Sequence, residues 1–310
     1  MKKFTRLFLI IVILFVILGL ILPLLKIDAA ENPDPKTDSL KGVMNNINEL
    51  NNLKDNNNLS AEEKDAKELE LRKDALSKIL DLTLMEIDSF KNNLESLQLE
   101  KGKQTDTKNQ LLDLLNTDKQ YSENLKETLQ NELSLDDTKN LTQEFKDWKD
   151  ANYNFDIQKI TSFTLVFQEK YVLKIADTRL NKINSDLKKL EGMKLISKED
   201  NRKSLDSATK SLTNAHNLYS SAENLLMNAL KNEFNASSTL LNDSLATTTI
   251  KDANEASSTI KTTSTGTTTP QFEKRDDIKL LIEKSFNEVK NAYKYFLDIS
   301  NKVRKKLGLQ

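Results

Sequence analysis

The sequence predicts an all-α protein: an elongated antiparallel bundle of paired, coiled-coil-like helices behind an N-terminal signal or anchor helix. Three observations carry this. No proline, which removes an amide donor and clashes with the preceding turn, lies between Pro35 and Pro270. Leucine, lysine and glutamate, all good helix formers, are abundant there, while the many Asn and Asp suit caps and turns. Apolar residues recur in alternating steps of three and four, the face of an α-helix, and the period-two alternation of a strand is absent.

The first element is residues 1–30. Leu7 to Leu25 form an almost unbroken apolar run behind Lys2, Lys3 and Arg6. The run falls between the roughly 7–15 apolar residues of a secretory signal and the about 20 of a spanning helix. Two readings stand: a signal peptide cut after Ala29 or Ala30, or an uncleaved membrane anchor through residues 7–25. Pro23 and the small residues at 29 and 30 favour the cut, with Ile27 better placed before Ala29 than Asp28 is before Ala30. Under both readings the chain is exported, and an extracytoplasmic location is expected for all that follows.

Residues 31–60 read as a polar linker with a short helix near 38–55, and residues 61–235 as the long-helix bundle. Ser60 to Glu63 form a cap with an acid three places on, which satisfies first-turn amides and suits the helix dipole. It opens a helix at 61–101 with Leu69, Leu76, Leu80, Ile87, Phe90, Leu94 and Leu97 on one face. A turn at Gly102 leads to a helix at 106–133. Ser134 to Asp137 cap another at 136–152, and a further helix at 156–194 carries Leu173, Leu180, Ile183, Leu187 and Leu190. Gly192 falls near its end, where glycine tolerates left-handed backbone. Ser197 to Asp200 open the helix at 198–234. There Leu205, Leu212, Tyr219 and Leu226 fill one heptad position and Ala208, Ala215, Ala222 and Ala229 the other, a pattern that lets a neighbour approach closely. An offset of 93 residues aligns Leu80 with Leu173, Leu94 with Leu187 and Leu112 with Leu205. That match fits either two related hairpins or the chance agreement of two heptad patterns.

Residues 236–270, about half Ser or Thr, read as a flexible linker or an O-glycosylated stalk. Residues 271–310 form a C-terminal amphipathic helix, with Ile278, Ile282, Ser285, Val289, Ala292, Phe296, Ile299 and Val303 on one face. This last helix either folds back on the bundle or assembles with another chain.

Composition removes several kinds of chemistry. There is no cysteine, so there is no disulfide, thiolate metal site or cysteine nucleophile. His216 is the only histidine, which excludes a two-histidine zinc motif. The six glycines form neither a dinucleotide fingerprint nor a P-loop. The 46 basic and 47 acidic side chains are interspersed, without the basic stripe of a nucleic-acid binder. The sequence therefore assigns no catalytic, cofactor-binding or metal residues and no cofactor. His216 reads as a polar edge residue, and Glu62, Glu63, Asp136 and Asp137 as capping acids. Phe145, Trp148, Tyr153, Phe155, Phe163 and Phe167 read as a packed corner between two helices rather than an apolar ligand pocket. Asn140-Leu-Thr142 is a glycosylation triplet expected by chance in so Asn-rich a chain.

The stretch Trp148 to Leu190, with Leu165-Val-Phe-Gln-Glu-Lys170 and Val172-Leu-Lys-Ile-Ala-Asp-Thr-Arg-Leu180, resembles a segment of uncharacterised exported helical proteins of candidate phyla radiation bacteria. Val289-Lys-Asn-Ala-Tyr-Lys-Tyr-Phe296 is similar to their last helix. The resemblance implies an envelope location and no known activity. The expected function is thus a noncatalytic structural or protein-interaction component of a bacterial cell envelope. Its partners are the membrane, if residues 7–25 are retained, and a protein or a second copy met through amphipathic helices. The alternatives are a ligand-binding helical bundle and, behind it, a carboxylate-dependent wall hydrolase.

Overall fold

A computed structural model describes residues 35–55, 59–131, 133–246 and 274–308. The apolar run at 7–25, the cleavage positions Ala29 and Ala30, and residues 247–270 of the Ser/Thr-rich segment lie outside them. The described residues are all helical, without strands: α1 (Pro35–Asp55), α2 (Ala61–Ser96), α3 (Lys103–Gln130), α4 (Leu135–Trp148), a π-helical turn (Lys149–Tyr153), α5 (Asn154–Gly192), α6 (Lys198–Ala246) and α7 (Arg275–Lys306). The backbone stays right-handed helical through Trp148, Lys149, Tyr153 and Asn154, so α4, the π turn and α5 form one helix. Six helical rods result, packed antiparallel to their chain neighbours.

The expected break between 152 and 156 is not there, and spacing explains why. Trp148 and Tyr153 both face the core but stand five residues apart, too many for one α-helical step. A π turn holds one more residue than an α turn, so it absorbs the extra position and keeps both rings on the same side. Tyr121 stacks on Trp148 with centroids 4.3 Å apart, and Trp148 lies 5.7 Å from Phe145 and 5.5 Å from Tyr153. The aromatic group is packed as expected, along a continuous helix rather than at a corner.

The remaining ends follow local chemistry. Ser60 with Glu63 and Ser134 with Asp137 form complete capping boxes, and the Ser197 N–H donates to Asp200 at 3.0 Å. Gly102 takes φ of 102° ahead of α3. After α5 the left-handed residue is Lys194, at φ 58°, whereas Gly192 is the last helical residue. The Leu195 N–H donates to the Leu190 carbonyl at 3.0 Å and closes that helix end. Pro35 starts α1, where a missing amide costs nothing. α6 continues to Ala246, beyond the 234 expected, as the further spacing of Leu230, Phe234, Leu241 and Leu245 allows.

The long helix is shared by two three-helix groups. Near its start, α4 packs on α2 and α3 through Phe145, Leu76, Leu80, Leu125 and Leu129. Towards its end, α5 packs with α6 and α7 around Leu187, Ile196 and Ile299. Between them one core joins both groups, with Ile87, Leu94 and Leu111 meeting Ile160, Phe163, Leu226 and Ile282. α7 folds back on α5 and α6, and all seven of its core-face residues from Ile278 to Ile299 are buried. α6 and α7 make the most extensive pairing, and Ala208, Ala215 and Ala222 are fully buried in α6. Ala215→Leu is expected to overpack this contact and cost about 1–3 kcal/mol. The exposed Thr213→Leu should be near neutral, and equal melting points for the two variants would rule out the close approach.

Candidate functional site

Most residues singled out by sequence go to structural tasks. The half-exposed His216 places Nε2 2.9 Å from Asp177 Oδ2 and bridges α6 to α5. Glu63 and Asp137 are held below the usual carboxylate range by hydrogen bonds from their capping serines, Ser60 and Ser134. Among the described residues no group of three or more His, Asp or Glu side chains is placed to hold a metal ion. Nor is any described helix long and apolar enough to cross a membrane.

The unusual chemistry lies where the two three-helix groups meet, at residues the sequence did not flag. Glu169 of α5 is fully buried. Ser285 Oγ of α7 lies 2.5 Å from its Oε1 and 3.0 Å from the Ala215 carbonyl of α6. A hydroxyl carries one proton and cannot donate to both oxygens. A protonated Glu169 removes the conflict: the carboxyl O–H donates to Ser285 Oγ, and Ser285 donates to the Ala215 carbonyl. Burial pushes Glu169 up to about 7, against a smaller opposing effect of Ser285, so the protonated form is reached near neutrality. Tyr219 of α6 is buried in the same core, and burial holds its phenol well above the ordinary range.

A second set sits about three helical turns before Glu169 along the shared helix. Lys159 is almost fully buried, with Nζ 2.9 Å from Asp156 Oδ1 and 3.2 Å from Glu233 Oε2 of α6, and 4.0 Å from the Phe155 ring centre. Asp118 of α3 is 3 % exposed, and its Oδ2 has no hydrogen-bond partner. Burial, and then the charge of Asp156, raise Asp118 to about 7, while Lys159 pulls the other way. Glu233 is raised by burial and lowered by Lys159. Tyr153 donates to Glu86 Oε2 of α2 at 2.9 Å, and Gln104 of α3 donates to Glu223 of α6 at 2.5 Å. These polar links tie α2 and α3 to the long helix and α6.

The arrangement sets titratable acids inside a packed core and links the helices across it. Two open concavities of the described surface are lined by other residues, one by Glu199, Arg202, Lys203, Asp206, Ser207 and Lys210 and one by Ile196, Asp200, Asn201, Lys302, Lys305 and Lys306. Periodicity alone could have flagged Glu169, because it falls on the buried face with Phe163, Val166 and Leu173. No family model, curated protein or solved structure matches the chain.

Proposed function

We propose that this chain is a noncatalytic, elongated scaffold or interaction component of a bacterial cell envelope, exported and held at or released from the membrane by residues 7–25. The observation that carries the proposal is the helix of residues 135–192, about 85 Å long at 1.5 Å per residue, with a helical group built on each end. Such a form suits spacing and side-on contact. The basic and then apolar start of the sequence supports export, and the resemblance of Trp148 to Leu190 to exported helical proteins agrees with it. Exposed Leu280, Tyr293 and Leu297 on α7 offer contact points to a protein partner.

The absence of cysteine makes the test direct. Tyr171 is 59 % exposed on α5, so Tyr171→Cys should react with a membrane-impermeant maleimide on intact cells. Labelling that requires lysis would overturn the extracytoplasmic placement. A photocrosslinking residue at Leu297 should yield a discrete protein adduct in the same cells, and adduct-free protein would remove α7 as the contact surface.

A further inference from the structure

We infer that the exposed apolar flank of α1 rests on the membrane surface, an inference that builds on the anchored form of the function proposed above. Leu40, Met44 and Ile47 are 55, 57 and 43 % exposed, and steps of four and three place them on one stripe of α1. Val43 stands one helical step from both Leu40 and Ile47 and is buried, as are Asn46 and Leu53 further round, so the stripe flanks the packed face of α1. The rotation of α1 is fixed by its packing on α2. Asn46 Nδ2 donates to Asp74 Oδ2 at 2.7 Å, and the Lys78 side chain crosses α1 at Gly42, where an added Cβ would meet its Cε at 2.9 Å. The apolar stripe is therefore a fixed, half-exposed flank of a packed helix, between the contact with α2 and a polar outer side that carries Lys41, Asn48 and Asn51.

The size of the stripe decides among occupants. Three half-exposed side chains fall well short of the roughly 800 Å² that each partner gives to a stable protein interface, which disfavours a second copy. A lipid surface demands no shape complementarity, and an amphipathic helix binds it by seating its apolar face at the headgroup boundary. Three side chains bind weakly alone, and the tether supplies what they lack. Only residues 26–34 separate Leu25 from Pro35, a reach of roughly 30 Å at full extension. An anchor at 7–25 thus holds α1 beside the bilayer at an effective concentration on the order of millimolar. Because α1 runs antiparallel along α2, this contact lays the helical groups flat along the bilayer instead of standing them upright.

Single spin labels on the full chain, reconstituted into vesicles of phosphatidylethanolamine and phosphatidylglycerol, test the inference. Labels at Leu40→Cys, Met44→Cys and Ile47→Cys should show a severalfold higher ratio of oxygen to nickel-chelate accessibility than labels at the exposed Asn93→Cys and Asn217→Cys. If the protein floats with the vesicles but all five labels meet nickel equally, the α1 inference fails and the anchor stands. If the protein does not float, the anchored reading itself fails. Stripe labels shielded from both reagents, or broadened by a second label nearby, would mean a protein occupant and would also overturn the inference.

Discussion

Glu169→Gln is expected to stabilise the protein above pH 8 by about 2–4 kcal/mol and to leave its stability near pH 5 almost unchanged. Unfolded, this carboxyl titrates in the ordinary range, whereas in the fold burial raises it to about 7. Between those values the folded chain binds the extra proton, so stability falls as pH rises and the loss is complete above the folded value. Each unit of difference corresponds to about 1.4 kcal/mol. Asp118, raised to about 7 in the same direction, adds a second contribution with the same sign. Glutamine reproduces the protonated acid, because its amide donates to Ser285 Oγ while Ser285 donates to the Ala215 carbonyl. Thermal melts of both proteins from pH 5 to 9 check this, and parallel pH slopes would show that Glu169 is not the titrating group.

Deleting Asn152, an exposed residue of the π turn, is expected to leave the fold intact with a melting temperature held or raised. Deleting Lys174, equally exposed but in regular α-helix, should unfold much of the molecule. Without Asn152, Trp148 and Tyr153 become four residues apart, an ordinary helical step, so both groups keep their facing. Loss of Lys174 instead turns everything after it by about 100° relative to the preceding helix. That takes Ala176 and Leu187 out of the core, at about 1.5–3 kcal/mol for a large side chain like Leu187. Circular dichroism and melting of the two deletions provide the comparison, and equal damage from both would reject the extra-residue account of the π turn.

The helix faces were legible because they are local. Every core position read from the spacing of α7 is buried except the half-buried Val303, and Ser60 and Ser134 cap where their acids three places on said they would. The misses have physical causes. A five-residue gap inside an apolar pattern looks like a helix break, yet one wider turn accommodates it without ending the helix. Glycine near a helix end suggests the left-handed position, but at α5 the chain places Lys194 there two residues later. The polar seam was not legible, since Glu169 meets Ser285 across 116 residues of sequence and only the folding back of α7 joins them. Periodicity says that Glu169 is inside and is silent about its partner.

The uninterrupted helix of residues 135–192 also has a mechanical consequence. Tension between its two ends loads successive turns in series, each held by about three to four backbone hydrogen bonds in parallel, and also shears the helix against the groups packed on it. Tension between the start of α2 and the end of α5 has no continuous helix to follow and passes wholly through the packed faces. Those contacts, including the Lys119–Asp88 and Lys170–Glu100 bridges, are loaded together in shear. In both directions the packed faces share the load, so the long helix joins the two groups as a continuous strut rather than as a hinge.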